Sequence, residues 1–495
     1  MEVEPLFTAA QVRELDRIAI EESGIPGYTL MSRAGEAAWQ LVNSQWHAAQ
    51  SMTVFCGAGN NGGDGFVVAR QALKAGWKVQ VLQLGSTGMI KGDAATARTA
   101  YIDSGGEITA FDTAIENDAD VLVDAMLGTG LERPLEGDWA HAVEKINHSP
   151  APVLAMDIPT GLHADTGRVM GVTVRADHTV TFIGRKQGLY TGQGPEFSGK
   201  VSFHGLGVPE DVMQRVPPRS KLLGGPLLQV FTGPRPRTAH KGDHGHVLVI
   251  GGDTGMVGAA RLAGEAALRT GAGLVSLATR AAHAGIIAAS CPELMAHGVE
   301  SVPDLKALLK RATVVAIGPG LGQSAWARSL LSAVLETSRP LVLDADALNL
   351  LAREPIGGNN WVLTPHPGEA ARLLQQDTAA IQADRFTAVR ALTDKYGGTA
   401  VLKGAGTLVH TADQPVAVCT AGNPGMATAG MGDVLSGVIA GLVAQGMTPA
   451  QAAVDGVCAH ACAGDRAARD GERGLCARDV IAELRGVLNP AGIPE

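Results

Sequence analysis

Short apolar runs alternate with longer amphipathic stretches along most of the chain. In the first half, the runs Met52–Cys56, Val79–Leu84, Val121–Asp124 and Val153–Asp157 have the length of buried strands, and Phe66–Ala75 has a helical apolar period. Because the strand-like runs are continuous rather than alternating, they predict a parallel sheet covered by helices on both faces.

The pattern also predicts a helix near the beginning of the chain. Thr8 and Gln11 have the spacing of a capping box, and Gly24 is placed to end the helix. Apolar residues recur between these positions at the helical period, at Val12, Leu15, Ile18 and Ala19.

The second half shows the same alternation with a different sequence. Gly258–Thr270 is predicted to be a helix, and the tail from Asp433 onward is predicted to be mostly helical. Strands are predicted at Val247–Ile250, Leu274–Ala278, Val314–Ile317, Leu341–Leu343, Trp361–Thr364 and Ala400–Lys403. Both halves therefore predict the α/β class, in which ligands bind beyond the carboxyl ends of the strands.

A proline-rich stretch separates the two halves. Residues 209–236 contain six prolines as well as Gly224, Gly225 and Gly233, and this composition disfavours both helix and central strand. We therefore predict a linker here and two domains, comprising residues 1–218 and 219–495.

Composition narrows the expected partners and compartment. The net charge of -9 repels phosphate backbones, so we expect neither nucleic acid nor an anionic membrane as a partner. No run approaches the roughly 18 apolar residues of a membrane span, and the acidic N-terminus lacks the apolar core of a signal peptide. The six sparse cysteines are typical of free thiols in a reducing compartment, so we expect a cytoplasmic protein.

Three polar loops follow predicted strands of the first half. Gly57–Gly65 has five glycines in nine residues, and the helix after it can offer backbone N–H groups to an anion. Asp124 and Asp157 each end a strand and lead into a further loop. Any one of these carboxylates, like Asp64, can be only a helix cap, but three polar loops at one sheet edge favour a shared pocket.

The strongest candidate for a catalytic motif in the second half is Asn423–Asp433. Asp433 follows a Gly-Met-Gly turn and opens an apolar helix, where N–H groups can hold a phosphoryl group while the carboxylate accepts a hydroxyl proton. The alternative is a glycine turn with an Asp N-cap. Lys403–Thr407 can hold a nucleotide phosphate, and Glu369, three residues after His366, can meet magnesium-bound water.

The segments Gly59–Gly65, Asp124–Gly130 and Asp157–Gly161 resemble the NAD(P)H-hydrate epimerase family in order and spacing, and the resemblance spans about residues 8–210. It implies a Rossmann-like parallel-sheet domain, with Asp157 catalytic and close to the reacting carbon. It implies that the hydrated dinucleotide is held by Asn60, Asn61, Gly62, Gly63, Asp64, Gly128, Thr129, Gly130, Leu131, Glu132, Arg133, Pro134 and Asp157. It implies potassium ligation by Asn61, Asp124 and Thr160, an oxygen-only set that suits a hard cation.

About residues 225–492 resemble the ribokinase-like superfamily, specifically its NAD(P)H-hydrate dehydratase branch. The resemblance rests on His240–Gly245, Ile317–Gly322, Asp344–Asn349 and the loops above, and it implies that Asp433 is catalytic. It implies nucleotide binding by Lys403, Gly404, Ala405, Gly406, Thr407 and Gly432, and dinucleotide binding by Gly258, Ala259, Gly320, His366 and Asp433. Superfamily kinases usually carry Asn-x-x-Glu where this chain has His366–Glu369, which favours the dehydratase branch.

Together these resemblances imply a bifunctional repair enzyme for hydrated NADH and NADPH. The first domain would interconvert the R and S hydrates, and the second would dehydrate the S epimer at the expense of ADP or ATP, releasing phosphate and AMP. Potassium and magnesium ions are the expected cofactors, and we expect a homo-oligomer. The alternative is a ribokinase-like kinase of a small alcohol, such as a vitamin precursor, with a dinucleotide-sensing N-terminal domain.

Overall fold

The computed structural model describes residues 4–114, 118–223 and 235–489. The chain divides into two compact units, one spanning Pro5–Ser220 and the other beginning at Lys221. The predicted linker contains a helix at Glu210–Gln214 and a strand at Ser220–Leu223, so the expectation of no helix or strand is wrong for this part. Pro209 is the N-cap of that helix and Pro217 and Pro218 lie between the two elements, so the prolines interrupt neither. Residues 224–234 of the predicted linker lie outside the described residues.

The first unit is an α/β fold with a parallel sheet, as predicted. Its strands are β1 (Glu4–Phe7), β2 (Ser51–Cys56), β3 (Lys78–Gln83), β4 (Ile108–Ala110), β5 (Val121–Ala125), β6 (Val153–Met156), β7 (His178–Phe182), β8 (Arg185–Lys186) and β9 (Lys200–His204), and β10 (Ser220–Leu223) lies at the division. Its helices are α1 (Ala9–Arg17), α2 (Gly27–Gln45), α3 (Asn60–Lys74), α4 (Gly92–Asp103), α5 (Asp138–His148), α6 (Gly194–Phe197) and α7 (Glu210–Gln214).

The strand order indicates where a ligand would bind to this unit. Within the described residues the sheet runs β4-β3-β2-β5-β6-β7-β9, with every neighbouring pair parallel, and β1 pairs with β8. The order reverses between β2 and β5, as in a dinucleotide-binding sheet, so the loops after these two strands open into one crevice.

The first helix forms as its capping residues predict. The Gln11 N–H donates to Thr8 Oγ1 at 3.3 Å, and the Thr8 N–H donates to Gln11 Oε1 at 3.0 Å. A π-helical turn, Ile18–Glu22, follows α1, and Gly24 then takes a left-handed φ of +69°. The predicted capping box and the predicted stop are both confirmed.

The glycine-rich segment after β2 differs from expectation, because it begins helix α3 instead of forming a loop. Gly59 is the N-cap, so Asp64 lies inside the helix and is not its cap. A Cβ on Gly62 would stand 2.0 Å from the carbonyl oxygen of Gly57, and one on Gly65 would stand 2.6 Å from the Cβ of Ala125. Glycine therefore serves here to bring α3 against the strand ends, a tertiary requirement that local composition does not reveal.

The second unit repeats the doubly wound plan. Its strands are β11 (His246–Ile250), β12 (Leu274–Thr279), β13 (Met295–Gly298), β14 (Val314–Ile317), β15 (Leu341–Leu343), β16 (Trp361–Leu363), β17 (Thr399–Leu402), β18 (Thr407–Thr411) and β19 (Val416–Cys419). Its helices are α8 (Val257–Thr270), α9 (Ala281–Ser290), α10 (Val302–Leu309), α11 (Ala325–Leu335), α12 (Ala345–Leu351), α13 (Pro367–Leu374), α14 (Thr378–Ala383), α15 (Arg385–Tyr396), α16 (Met431–Ala444), α17 (Pro449–Ala467) and α18 (Ala477–Leu488).

The sheet of this unit also reverses its order near the middle. It runs β13-β12-β11-β14-β15-β16-β17 with parallel pairing, and β18 and β19 continue it antiparallel. The reversal between β11 and β14 brings together the loops that contain Gly251–Met256 and Gly318–Gly322.

Small residues let α16 lie directly on α8. A Cβ on Gly437 would stand 2.1 Å from the carbonyl oxygen of Ala263, and one on Gly441 would stand 3.0 Å from that of Ala267. The side chains of α16 from Val434 to Ala444 are buried. Contact between the backbones of the two helices therefore fixes the position of α16, whose first turn contains Asp433.

Candidate active sites

The carboxyl edge of the first sheet opens into a pocket of about 460 Å³. Seven of the predicted binding residues line it, namely Asn60, Asn61, Asp64, Gly128, Thr129, Gly130 and Asp157. The other predicted binding residues, Gly62, Gly63, Leu131, Glu132, Arg133 and Pro134, are described but are not among the residues that line it. Gly62 and Gly63 are buried inside α3, so a contact with a ligand through them stays a prediction.

Asp157, directly after β6, forms an ion pair with Lys186. Its φ of +67° lies in the left-handed region, which is uncommon outside glycine. The Asp157 carboxylate also accepts a hydrogen bond from the Phe182 N–H at 3.3 Å, while Lys186 Nζ donates to the Phe182 carbonyl oxygen at 2.9 Å. Lys186 is 1% exposed, so a buried lysine holds Asp157 at the pocket wall.

Lys186 is a functional candidate that the sequence motifs missed. It lies in β8, four residues after the end of β7. The run His178–Phe182, rich in β-branched and aromatic residues, is the signal that would have predicted another parallel strand ending at this edge.

Two more carboxyl groups share this pocket. Burial is the main cause that raises the pKa of Asp64 well above its ordinary value, and the charges of Asp157 and Asp16 add to it while Lys186 opposes it. Burial also raises the pKa of Asp16 to about 6. The pocket therefore combines an ion-paired carboxylate, Asp157, with Asp64, which favours the protonated form at neutral pH, and Asp16, which takes up a proton as the pH falls through about 6.

The three predicted potassium ligands lie next to this pocket. Asp124 is fully buried, and it accepts hydrogen bonds from Thr160 N and Thr160 Oγ1, both at 2.7 Å, and from Met126 N at 3.2 Å. Burial raises the pKa of Asp124 to about 6, and the Thr160 hydrogen bonds oppose that rise. Among the described residues, neither amide atom of buried Asn61 has a hydrogen-bond partner. Asp124 is thus a buried acid among neutral donors, and Asn61 has an unpaired amide oxygen; both offer the kind of oxygen atom that a hard cation binds.

In the second unit, Asp344 links Lys403 to the start of α16. Asp344 Oδ1 accepts a hydrogen bond from Lys403 Nζ at 2.9 Å, and Oδ2 accepts one from Ser436 Oγ at 2.8 Å. Lys403 Nζ also lies 3.8 Å from Glu369 Oε2. Burial opposes the charge of Lys403, but Asp344 and Glu369 outweigh it and raise the pKa of Lys403.

Asp433, the predicted base, lies in the first turn of α16 beside this cluster. Burial, followed by the negative charge of Asp344, raises the pKa of Asp433 to about 7, while Lys403 opposes the rise. Gly432 is also close, because a Cβ on it would stand 3.2 Å from Lys403 Nζ. The structure thus brings together the predicted base, the predicted nucleotide lysine and Gly432.

Three of the predicted dinucleotide residues of this unit, Gly258, Ala259 and Gly320, lie at the reversal of strand order. Gly320 has a φ of +57°, and a Cβ on it would stand 2.5 Å from the Met256 carbonyl oxygen and 3.2 Å from the Ala259 Cβ. A Cβ on Gly258 would meet nothing within 4 Å, so that position faces open space. The two loops therefore meet at the carboxyl edge of the sheet.

His366 has a local structural role in addition to any contact with substrate. It is the N-cap of α13, where its Nδ1 accepts hydrogen bonds from Gly368 N at 3.0 Å and Glu369 N at 3.4 Å. Burial lowers the pKa of His366, although the neighbouring Glu369 opposes that change. The side chain is 51% exposed, so its far edge remains open to solvent or a ligand.

None of the helices in the described residues is both long and apolar enough to cross a membrane. Comparisons with known proteins match both units. Residues 247–485 match the family model described as NAD(P)H-hydrate dehydratase, and residues 27–188 match the YjeF-related protein N-terminus model.

Full-length relatives carry one name. The chain is 50% identical to a bifunctional NAD(P)H-hydrate repair enzyme from Coxiella burnetii over 98% of this chain and 99% of the relative. It is 44% identical to the protein of that name from Escherichia coli over 98% of this chain and 94% of the relative. A solved ribokinase-like superfamily protein from Enterococcus faecalis has 31% identity and a TM-score of 0.50, covering 54% of this chain and 94% of that structure.

Proposed function

Because the chain belongs to the family of bifunctional NAD(P)H-hydrate repair enzymes, we propose how the residues of its two units divide that repair. The enzyme restores hydrated NADH and NADPH. Its first half epimerises the R and S hydrates, and its second half dehydrates the S epimer at the expense of an adenine nucleotide. The full-length relatives favour this function over a small-alcohol kinase with a sensing domain.

The epimerase step is assigned to the pocket that contains Asp157, Lys186 and Asp64. Epimerisation breaks the bond between the ring carbon and its hydroxyl oxygen, with the ring nitrogen supplying the electron pair, and remakes the bond on the other face. Asp64, which favours its protonated form, gives the proton that lets the hydroxyl depart as water. Asp157, paired with Lys186, takes a proton from the water that returns. Exchange of this proton with solvent and reprotonation of Asp64 then restore the starting state, so protons and oxygen balance over the cycle.

Potassium is assigned to Asn61, Asp124 and Thr160. The support is chemical: a buried acid with only neutral hydrogen-bond donors and an amide oxygen without a partner form a hard oxygen set. When bound, the ion would supply fixed positive charge beside the pocket. We expect KCl to raise the melting temperature of the first unit relative to choline chloride at equal ionic strength. In Asp124→Asn this difference should disappear, whereas an equal KCl effect in both proteins would refute the assignment.

The dehydration is assigned to Asp433, Lys403 and the loops around them. Asp433 takes the proton of the substrate hydroxyl as that oxygen attacks the terminal phosphorus of ADP or ATP, and Lys403 binds the charged phosphates. Phosphate then leaves with the oxygen while the neighbouring ring carbon loses a proton to solvent, and the electron pair of that C–H bond forms the restored double bond. With ADP the products are NAD(P)H, AMP and phosphate. The observation that carries this assignment is the position of Asp433 in the first turn of α16, next to Gly432, where a Cβ would stand 3.2 Å from Lys403 Nζ.

Magnesium fits this site only together with the nucleotide. Asp344, Asp346, Glu369 and Asp433 give the cluster an excess of carboxylates over Lys403. Yet no set of three His, Cys, Asp or Glu side chains in the described ranges is placed to hold a metal ion. Glu369 would contact magnesium through water while nucleotide phosphates provide direct ligands, and the ion would neutralise charge on the transferring phosphoryl group.

The test is incubation of the full chain with mixed hydrate epimers, ADP and magnesium. We expect regained nicotinamide absorbance, release of phosphate and AMP, and complete consumption of both epimers. A stable phosphorylated product without regained absorbance would indicate a kinase. Complete consumption limited by spontaneous epimerisation would refute the assignment of the first unit.

The cellular setting is part of the proposal. All six cysteines are free, which supports a reducing compartment, and we place the enzyme in the cytoplasm. A homo-oligomer stays a prediction, which sedimentation equilibrium of the full chain would decide. The expectation that neither nucleic acid nor membrane is a partner also stays a prediction.

A further inference from the structure

Arg385 is a buried arginine against the Lys403–Thr407 loop. It is the first residue of α15 and is 1% exposed, whereas arginine is seldom fully buried. Its guanidinium donates hydrogen bonds to the carbonyl oxygens of Leu402 at 3.2 Å, Lys403 at 3.3 Å and Gly406 at 3.4 Å. One side chain therefore binds carbonyl groups near both ends of the loop.

The backbone of the loop is shaped around this arginine. Gly404 and Gly406 have φ values of +134° and +61°, and a Cβ on Gly404 would stand 3.0 Å from Arg385 Nη1. The C=O and N–H of a trans peptide point in opposite directions, so the bond from Arg385 to the Lys403 carbonyl turns the Gly404 N–H away from the arginine. Backbone N–H groups turned outward from such a loop form concavities that bind anions.

We propose that Arg385 is a positioning residue that holds the Lys403–Thr407 loop in the shape that binds the phosphates of the nucleotide. The proposal rests on the assignment of the nucleotide to this loop under "Proposed function". Arg385 acts on the carbonyl side of the loop, and the Lys403 ammonium reaches from the same loop to the start of α16. If the loop is already ordered before the nucleotide binds, less of the binding free energy is spent on ordering it.

The chemistry of the guanidinium group explains why arginine is required here. Burial lowers the pKa of Arg385 to about 10, so the group remains charged at neutral pH. Its planar fork reaches several carbonyl oxygens together, which the single ammonium of lysine cannot do. Gln382 fixes the orientation of the fork, because its Oε1 accepts a hydrogen bond from Arg385 Nη1 at 3.0 Å.

The experiment is steady-state dehydration by full-length Arg385→Lys, which keeps the charge and removes the fork. We expect the KM for ADP to rise about tenfold, the lower end of the effect of removing a supporting hydrogen-bond layer, while kcat changes less than about threefold. The rise in melting temperature on adding ADP should shrink correspondingly. A kcat within about threefold of the parent reports that the second unit is folded, and epimerisation by the same preparation reports that the first unit is unchanged.

Arg390→Lys is the matched control, because it makes the same change on the same helix. The Arg390 guanidinium lies over the Phe386 ring, 6.0 Å from its centroid. The KM of the Arg390→Lys variant for ADP should equal that of the parent. Gln382→Ala changes an exposed side chain and is the variant to use if Arg385→Lys does not fold. We expect it to raise the KM for ADP about two- to threefold, the effect of one weakened hydrogen bond.

The outcomes separate this inference from the proposed function. A parent enzyme without nucleotide-dependent dehydration would refute the proposed function and the inference with it. An active parent with an unchanged KM in folded Arg385→Lys, or a fall in kcat alone, would refute only the role of Arg385. If Arg385→Lys is unfolded, an unchanged KM in Gln382→Ala refutes that role, and a raised KM supports it.

Discussion

The substitution Asp433→Asn changes the proposed base of the dehydratase with almost no change of shape. If Asp433 accepts the hydroxyl proton, its loss should lower the dehydration rate about 10²–10⁴-fold. Nucleotide binding should be retained, because it is assigned to Gly432 and to the Lys403–Thr407 loop.

The same substitution should stabilise the second unit at alkaline pH. The pKa of Asp433 is raised from 3.8 to about 7, first by burial and then by Asp344, so the folded state holds this proton more tightly than the unfolded chain. Stability is therefore lost as the pH rises from about 4 through about 7, and asparagine removes that loss. The difference between about 7 and 3.8 is about three pH units, or about 4 kcal/mol. The Asp433 side chain is partly exposed, and the N-terminus of α16 stabilises its ionised form. Both effects reduce the expected gain in the free energy of unfolding to about 1–2 kcal/mol.

Thermal unfolding of parent and variant at pH 8 and pH 5 measures this gain. The variant should melt about 2–6 °C higher at pH 8, and the difference should shrink at pH 5. Turnover is followed by nicotinamide absorbance and phosphate release, and ADP binding by calorimetry. Turnover within a few-fold of the parent would refute the base assignment, and a lower melting temperature at pH 8 would refute the account of the buried charge.

Three further predictions concern the first unit and the division of the chain. Asp157→Ala should abolish epimerisation while the accepted epimer is dehydrated at the parent rate, so mixed epimers are consumed only in part; complete consumption at the parent rate would show that Asp157 is structural. Lys186→Met should lower epimerisation at least about 10²-fold and destabilise the first unit by about 3 kcal/mol at pH 8. The loss should be smaller at pH 5, because the raised pKa values of Asp16 and Asp64 leave less negative charge near the position of Lys186; equal losses at both pH values, measured by chemical unfolding, would contradict this. Fragments 1–218 and 219–495 should each fold and keep one activity. Circular dichroism of each fragment and separate assays of the two activities test this, and failure of both fragments to fold would contradict it.

Apolar periodicity was sufficient to predict the central strands and the α/β class. Val121–Asp124 and Val314–Ile317, for example, are strands of the two sheets at nearly the predicted bounds. Such runs are informative because strands buried on both faces of a parallel sheet tolerate few polar residues. Short strands such as Ile108–Ala110 carry fewer apolar side chains and gave no comparable signal.

The chemical partners of the predicted residues were harder to foresee. Asp157 was identified by its place after a strand, but its ion pair with Lys186 joins positions 29 residues apart. Asp344 belonged to a recognised motif, yet its contacts with Lys403 and Ser436 span 59 and 92 residues. Such contacts depend on strand order and on the path of each helix, which local patterns do not encode.

The backbone contact between α16 and α8 limits how the dehydratase half can change by mutation. Gly437 lies one helical turn after Asp433 and has no room for a methyl group against the Ala263 carbonyl oxygen. Even alanine at this position would push α16 away as a rigid rod and carry Gly432 and Asp433 with it. A residue that never meets the substrate is thus as constrained as the base itself, and sequence drift along this helix must preserve its small residues.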